Sequence, residues 1–293
     1  MVGPVLRDGR GHLVPGSTVA NLTALWAARE LKGVSEVVCS SASHLSIKKA
    51  AAILRLNWRV LQTRPDHTLD TSALGDLSRS ALVLNAGTVA CGAVDPLDAG
   101  RGAAWRHIDA AWAGPMRLST THAATLRDIE DADSVSVSAH KWLFQPKESA
   151  LVLFADTTTA HDAISFGGGY LAVPNVGVLG SHGASALPLL VTLLAWGQDG
   201  IEARIDRCME IADRLSERIE DHPVELERFG KHRTGVVLWR PRTAPAEQVR
   251  ERLVSSFVSL VDINGERWFR SVAANPLADA DLVVDDTLAA IRG

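Results

Sequence analysis

Apolar residues follow helical spacing in two stretches near the start of the chain. Over 19–31 and 45–56 they recur every three or four residues, which predicts two helices that each bury one face. Ser17 or Thr18 is expected to cap the first helix, because a hydroxyl there can accept a hydrogen bond from a free N–H group of the first turn. Gly33 is expected to end that helix.

Short apolar runs of strand length lie between and after these helices. A brief helix is expected near 72–77. The predicted strands are 36–40, 58–62, 81–85, 105–109, 134–138 and 150–154. Because helices and strands alternate, the pattern predicts an α/β fold with a mostly parallel sheet covered on both faces.

The pattern changes after the glycine-rich segment 167–169. Two helices are expected at 184–196 and 201–219, separated by a break at 197–200. The remainder predicts a small α+β unit with a strand at 236–239, a helix at 246–258, a strand at 268–272 and a closing helix at 281–291. We therefore expect a large domain over 1–199 and a small C-terminal α+β domain over 200–293.

Composition narrows the class of protein. The 293 residues are 46% hydrophobic and 22% charged, which suits a globular protein with a large core. A net charge of −4 without a basic stripe argues against a nucleic-acid partner. No apolar run approaches the roughly 18 residues of a membrane span, and the N-terminus lacks an export signal, so neither membrane insertion nor export is expected. Three cysteines without C-x-x-C spacing favour a reducing cytoplasm, and the histidines show no metal-binding spacing.

Three polar residues end predicted strands. They are Asn85, Asp109 and Ser138, at the ends of the predicted strands 81–85, 105–109 and 134–138. In open α/β sheets ligands bind beyond the carboxyl ends of the strands. These residues therefore predict where the site lies.

Lys141 is the first candidate for chemistry, because the predicted strand 134–138 runs directly into it and it is flanked by His140 and Trp142. A partly desolvated lysine beside an imidazole can have a lowered pKa and form a Schiff base with an aldehyde. An exposed loop lysine fits the same local sequence. Asp109 could hold the protonated pyridine nitrogen of pyridoxal 5′-phosphate (PLP), or it could be a helix cap or a buried salt-bridge partner.

Several motifs occur together in a familiar order. They are 16–25 (GSTVANLTAL), 43–51 (SHLSIKKAA), 87–98 (GTVACGAVDPLD), 107–112 (HIDAAW), 138–142 (SAHKW), 269–272 (FRSV) and 275–277 (NPL). Together they resemble the group II PLP-dependent amino-acid decarboxylases, which include the aromatic amino acid, glutamate and histidine enzymes. The resemblance covers essentially the whole chain and implies the aspartate aminotransferase-like fold type I of PLP-dependent transferases.

The resemblance also implies roles for the residues that line the cofactor. Lys141 would carry PLP, Asp109 would pair with the pyridine nitrogen, and His44 would stack on the ring. Without the resemblance, His44 would also fit a helix cap. The start of a helix favours a phosphate. Further cofactor contacts are implied for Ser17, Thr18, Ala111, Ser138 and His140.

Substrate contacts follow from the same resemblance. Arg270 would bind the substrate carboxylate, with His182 and Trp142 nearby, although Arg270 could equally be a salt-bridging residue of the small domain. Tyr170 follows three glycines and could belong to a mobile loop that protonates the substrate, or it could be a packing residue.

The sequence departs from the family pattern in places. The first motif arrives by residue 16, whereas family members carry a longer N-terminal segment; Val19 replaces an acidic residue, Val89 replaces a threonine, and 180–184 replaces a basic G-R-R. The leading hypothesis is a homodimer that decarboxylates an L-amino acid to the amine and carbon dioxide. Its rivals are another PLP reaction, such as that of an aldehyde synthase or a lyase, and a shortened non-catalytic partner subunit.

Overall fold

The computed structural model describes residues 10–180 and 183–293. Backbone contacts divide the chain into two compact units. The first consists of Met1–Val89 and Val94–Glu202, and the second of Ala90–Ala93 and Ala203–Gly293.

A seven-stranded sheet organises the first unit. Its strands in chain order are β1 (Arg10–Val14), β2 (Glu36–Ser40), β3 (Asn57–Leu61), β4 (Ser80–Asn85), β5 (Trp105–Asp109), β6 (Ser134–Ser138) and β7 (Ala150–Phe154), and across the sheet they run in the order β1-β7-β6-β5-β4-β2-β3. Neighbours from β3 to β6 pair in parallel, whereas β7 is antiparallel to both β6 and β1. The predicted mostly parallel sheet is confirmed, and β1 is an edge strand that the pattern did not predict.

Helix α1 (Ser17–Lys32) corrects one expectation about its start. Gly16 occupies the capping position with φ of 92°, a backbone conformation that glycine adopts without strain. The prediction that Ser17 or Thr18 caps the helix is therefore wrong, since both lie inside its first turn. At the other end Gly33 is left-handed and closes the helix, as predicted.

Two shorter helices follow α1 in this unit. Helix α2 (Leu45–Leu54) and helix α3 (Thr157–Ala163) are regular, while 71–73 forms a single 3₁₀ turn where a brief helix was expected at 72–77. Further 3₁₀ turns lie at Gly114–Leu118, Ala123–Leu126 and Ile129–Asp131.

Both faces of the large sheet are buried. One face and helix α1 share a core that includes Leu25, Val37, Val83, Val152 and Phe154. Alternate positions of the strands, such as Leu82, Leu84 and Ile108, are fully buried as well. This double burial is what a central parallel sheet requires.

The first unit continues in a small hairpin and the N-terminal part of a long helix, up to Glu202. The hairpin pairs β8 (Ser165–Phe166) with β9 (Asn175–Val176). Helix α4 (Leu187–Glu220) contains a kink at Gly197, where φ is 62° and ψ is −171°. The predicted break between two helical stretches is therefore confirmed at that glycine.

The second unit contains the C-terminal part of α4, an antiparallel sheet and two further helices. Its elements are β10 (Leu226–Arg228), β11 (Val236–Pro241), α5 (Ala246–Glu251), β12 (Ser259–Ile263), β13 (Glu266–Val272) and α6 (Ala280–Arg292), with strand order β10-β11-β13-β12. Helix α5 ends well before the predicted residue 258. The reason lies in Asp286, whose carboxylate accepts hydrogen bonds from the backbone N–H groups of residues 254–256.

Two further properties concern the described residues as a whole. No helix within 10–180 or 183–293 is long and apolar enough to cross a membrane. Within the same residues, Cys39, Cys91 and Cys208 form no disulfide.

Candidate active site

A cavity of about 260 Å³ lies at the carboxyl ends of β4 and β5 in the first unit. The residues that line it come from the start of α1, the start of α2, the strand ends and the turn after β6: Pro15, Gly16, Ser17, Thr18, His44, Asn85, Gly87, Thr88, Val89, Asp109, Ala111, Trp112, His140 and Lys141. Most of the residues predicted to contact a cofactor are therefore brought together.

Asp109 ends β5 as a buried carboxylate with three hydrogen-bond donors. Its Oδ1 accepts from the Ala111 backbone N–H at 3.1 Å and from Ser136 Oγ at 3.3 Å. Its Oδ2 accepts from Asn21 Nδ2 at 2.9 Å. Donors of this kind stabilise the charged form of a carboxylate.

Lys141 lies in a closed turn between β6 and β7. The Ala139 N–H donates to Ser149 O at 2.9 Å, and the Gln145 N–H donates back to Ala139 O at 3.1 Å. These bonds fix the backbone around the lysine, whose Nζ lies 5.9 Å from the centroid of the Trp112 ring. The amine is therefore held at the cavity by a short, internally bonded segment.

His44 is both a helix cap and a residue of the cavity wall. Its Nδ1 accepts a hydrogen bond from the Ser46 backbone N–H at 3.2 Å at the start of α2. Burial lowers the pKa of His44 more than the Asp109 carboxylate raises it, and Lys141 lowers it further. The imidazole is thus favoured in its neutral form.

His140 carries a buried nitrogen that suits a ligand. Within the described residues its Nδ1 has no hydrogen-bond partner. Burial, followed by the charge of Lys141, lowers the pKa of this imidazole. A buried polar atom without a partner costs free energy unless something in the cavity satisfies it.

The start of α1 forms another wall of the cavity. Ser17 Oγ accepts a hydrogen bond from Ser138 Oγ at 2.8 Å, which explains why Ser138 stands behind the wall rather than in it. A helix N-terminus carries partial positive charge and favours phosphate. With an amine, a charged carboxylate and the unsatisfied His140 Nδ1 in the same cavity, the residues present fit PLP.

Several wall residues were not among the cofactor contacts predicted from the sequence. Gly87, Thr88, Val89 and Trp112 follow strand ends within motifs that were recognised, and that position was the signal available. Asn85 was recognised only as a strand end. Its Nδ2 donates to the buried Asp95 carboxylate at 2.8 Å, so the structure explains its fixed position.

Five predicted residues do not line this cavity, and one of them, Ser138, lies behind Ser17. Trp142 is 1% exposed and packs edge-on against Trp112 at 5.2 Å, so it lies behind the wall and does not face a substrate there. Tyr170 is 89% exposed and is not part of the wall. Arg270 lies on β13 of the second unit, where burial lowers its pKa. His182 lies outside the described residues.

Comparison with known proteins identifies relatives along most of the chain. The model of the pyridoxal-dependent decarboxylase conserved domain matches residues 4–240. A probable L-tyrosine/L-aspartate decarboxylase of Methanopyrus kandleri is 29% identical, with 94% of this chain and 75% of the relative covered. An L-2,4-diaminobutyrate decarboxylase of Rhizobium meliloti is 27% identical, with 93% of this chain and 63% of the relative covered. The chain thus spans about two thirds to three quarters of the length of these relatives.

Solved structures show the same fold. Mouse CSAD in its apo form superposes with a TM-score of 0.84 at 24% identity, covering 99% of this chain and 73% of that one. Oryza sativa TDC with PLP and tryptamine gives a TM-score of 0.84 at 21% identity, covering 99% and 71%. The fold class predicted from the sequence, fold type I, is confirmed. The chain belongs to the pyridoxal-dependent decarboxylase family, and its cofactor is PLP.

Proposed function

We propose that this chain binds PLP covalently through Lys141 Nζ and decarboxylates an L-amino acid to the amine and carbon dioxide. The observation that carries the proposal is the shared cavity. Lys141, Asp109 and His44 line the same 260 Å³ space at the carboxyl ends of the strands, although they lie far apart in the sequence.

Each wall residue has a role that suits its surroundings. Asp109, held in place by its three donors, would pair with the pyridine nitrogen, and His44 would pack against the ring. Ser17, Thr18, His140 and the start of α1 would hold the phosphate, with Ser138 supporting Ser17 from behind through its hydrogen bond. The Ala111 N–H keeps Asp109 in place. When bound, PLP supplies an electron sink for the pair left behind as carbon dioxide departs.

In this proposal the substrate is an α-amino acid, and the identity of its side chain is not assigned. The relatives are named for tyrosine, aspartate and 2,4-diaminobutyrate, which differ in charge and size. We propose Arg270 as the group that binds the substrate carboxylate, because a guanidinium forms paired hydrogen bonds with a carboxylate.

The test is covalent trapping of PLP on a single lysine. The purified chain is mixed with PLP, its absorbance is recorded, and borohydride is added before peptide mass analysis. Lys141→Ala should abolish the trapped adduct. Lys147→Ala should leave it intact, because Lys147 is an exposed residue of the same turn. Adduct formation in Lys141→Ala, or none in the intact chain, would overturn the proposal.

A second assay separates decarboxylation from other PLP chemistry. The loaded chain is supplied with acidic, basic and aromatic L-amino acids, and carbon dioxide and amine are measured together. Equal amounts of both support the proposed reaction. Aldehyde in place of amine, or product without carbon dioxide, would identify another PLP reaction.

We also propose that the chain functions as a homodimer. The first turns of α4 expose neighbouring apolar side chains, with Leu190 at 51%, Val191 at 55% and Leu194 at 75% exposure. Contiguous exposed apolar surface commonly marks an interface. In sedimentation velocity experiments Leu194→Asp should shift the chain from dimer to monomer, whereas the exposed substitution Thr158→Asp should not. A monomeric intact chain would contradict this.

The proposal also includes the location of the protein and its division into domains. The described cysteines form no disulfide and two of them, Cys39 and Cys208, are fully buried, which supports a reducing cytoplasm as the location. We retain the division into a large domain over 1–199 and a small one over 200–293, which the kink at Gly197 and the change of unit after Glu202 support. Limited proteolysis with cleavage near the kink would test it.

A further inference from the structure

A line of buried polar side chains runs behind Asp109 inside the first unit. Trp105 Nε1 lies 2.8 Å from Ser134 Oγ, and Ser134 Oγ lies 2.9 Å from His107 Nδ1. His107 Nε2 lies 3.0 Å from Asn21 Oδ1, and Asn21 Nδ2 lies 2.9 Å from Asp109 Oδ2. None of these groups except Asp109 lines the cavity.

The orientation of the Asn21 amide is fixed by its neighbours. A charged carboxylate only accepts hydrogen bonds, so the Nδ2 group must face Asp109 and the Oδ1 atom must face His107. Because Oδ1 can only accept, His107 Nε2 must carry a proton. A flipped amide would set an oxygen against the Asp109 carboxylate.

The other nitrogen of His107 is then an acceptor. Trp105 Nε1 can only donate, and it donates to Ser134 Oγ. The Ser134 hydroxyl proton is left to bond His107 Nδ1. Burial lowers the pKa of His107 to about 4, so the ring is neutral at neutral pH despite the nearby Asp109 charge. Every proton along the line therefore points toward Asp109.

Asn21 also reaches His44 through a second branch. Its remaining Nδ2 proton is donated to Ser46 Oγ at 2.9 Å. Ser46 Oγ lies 2.8 Å from His44 Nδ1, which already accepts from the Ser46 backbone N–H. The Ser46 hydroxyl therefore donates to His44 Nδ1, and a neutral His44 carries its proton on Nε2.

We propose that Asn21 is the positioning residue that sets both Asp109 and His44, and that neutral His107 with its proton on Nε2 locks Asn21 in the required orientation. Asp109 thereby keeps a donor on Oδ2, and His44 presents a defined tautomer. This inference rests on the proposed function insofar as Asp109 serves the cofactor ring. The tautomers of His107 and His44 are set by hydrogen bonds within the protein and can be measured without PLP.

Nitrogen NMR of the apo chain tests the tautomers directly. The chain is labelled with ¹⁵N-histidine, and long-range proton-nitrogen correlations are recorded at neutral pH before and after PLP is added. His107→Gln and His44→Gln identify the two signals by their loss. Both rings should show a neutral pattern with the proton on Nε2. A proton on Nδ1 of His107, or a doubly protonated ring, would overturn the inference.

A matched pair of variants tests whether His107 fixes the orientation of the Asn21 amide. His107→Gln can place an amide N–H near the position of Nε2, whereas His107→Leu cannot. His107→Leu should weaken PLP affinity by roughly tenfold, because a hydrogen bond serving a buried charge is lost, and should shift the pH dependence of the bound cofactor's absorbance. His107→Gln should restore most of both. An equal loss of PLP affinity in the two variants, or no loss in His107→Leu, would overturn the proposed role of His107.

Circular dichroism establishes that each variant is folded before these comparisons. If His107→Leu does not fold, the tautomer spectrum of the unaltered chain still decides the inference. If Lys141 fails to bind PLP, the proposed function fails, while the apo spectrum continues to report on Asn21 and His107 independently.

Discussion

Ser138 Oγ donates a hydrogen bond to Ser17 Oγ at 2.8 Å, across 121 residues of sequence. The contact joins the end of β6, which leads to Lys141, to the first residue of α1. A cofactor that is covalently attached at one end and bound by its phosphate at the other requires these two elements to keep a fixed separation. The hydroxyl pair therefore links the two ends of the proposed PLP site.

Removing either hydroxyl should weaken PLP binding. We expect Ser17→Ala and Ser138→Ala each to cost about 1 kcal/mol, or roughly fivefold in Kd, as is typical of one neutral hydrogen bond. The double variant should cost less than the sum, since the two residues share one bond. Absorbance titration with PLP measures the effect. Thr158→Ala, on an exposed turn of α3, serves as the control, and strictly additive losses would contradict the coupling.

The parts of the fold that could be predicted are those with strong local patterns. The strand ending at Asn85 is a buried apolar run, and the strand ending at Ser138 alternates serine and valine with the two-residue period of a strand. The edge strand β1 has mixed polarity and pairs only with β7, which comes much later in the chain. Local spacing holds no information on that pairing.

The residues of the candidate site also differ in how well the sequence predicts them. Lys141 and Asp109 could be recognised because they follow strands, whereas Asn21 lies within α1 and resembles an ordinary polar helix residue. One signal was present: Asn21 shares a helix face with Ala24, Leu25 and Ala28, all buried. A polar residue on an apolar stripe must find partners, but the sequence cannot say that they are Asp109 and His107.

Gly87 should not tolerate a side chain. Its φ is 98°, and a Cβ atom there would lie 2.6 Å from Trp112 Cδ1 in the cavity wall. Gly87→Ala should therefore lower the free energy of unfolding by about 2 kcal/mol or more and displace Trp112. Urea unfolding and PLP titration measure the two consequences.

Gly167→Ala is the matched control for that substitution. It has no positive φ, and nothing lies within 4 Å of the added Cβ. We expect its stability and PLP affinity to equal those of the intact chain. Equal behaviour of the Gly87 and Gly167 variants would show that the close approach to Trp112 does not matter.

The stability of the chain should fall as the pH is lowered from 7 to 5. Burial lowers the pKa of His107 from 6.5 to about 4, so in this range the unfolded chain takes up a proton that the folded chain does not. Stability therefore rises with pH through the window, and His107 accounts for about 2 kcal/mol of the difference between pH 7 and pH 5.

His107→Gln isolates this contribution. The variant should lose most of the pH slope assigned to His107, whatever its stability at pH 7. His12, whose pKa burial also lowers to about 4, keeps its own slope in both proteins. Asp95 acts in the opposite direction because burial raises its pKa, and it cancels in the comparison. Unfolding by urea at each pH supplies the measurement, and parallel curves for the two proteins would contradict the assignment.

Trp142 should matter for packing and not for substrate binding. Its indole is buried against Trp112 and does not line the cavity. Trp142→Ala should lower the free energy of unfolding by about 3 to 5 kcal/mol, because a large buried side chain leaves a void.

Trp142→Phe keeps most of the volume and should leave PLP affinity and KM within about twofold, since a substitution behind the wall removes no ligand contact. Trp112→Phe, in the wall itself, should change PLP affinity. A raised KM in Trp142→Phe at unchanged stability would instead restore a direct substrate contact for this tryptophan.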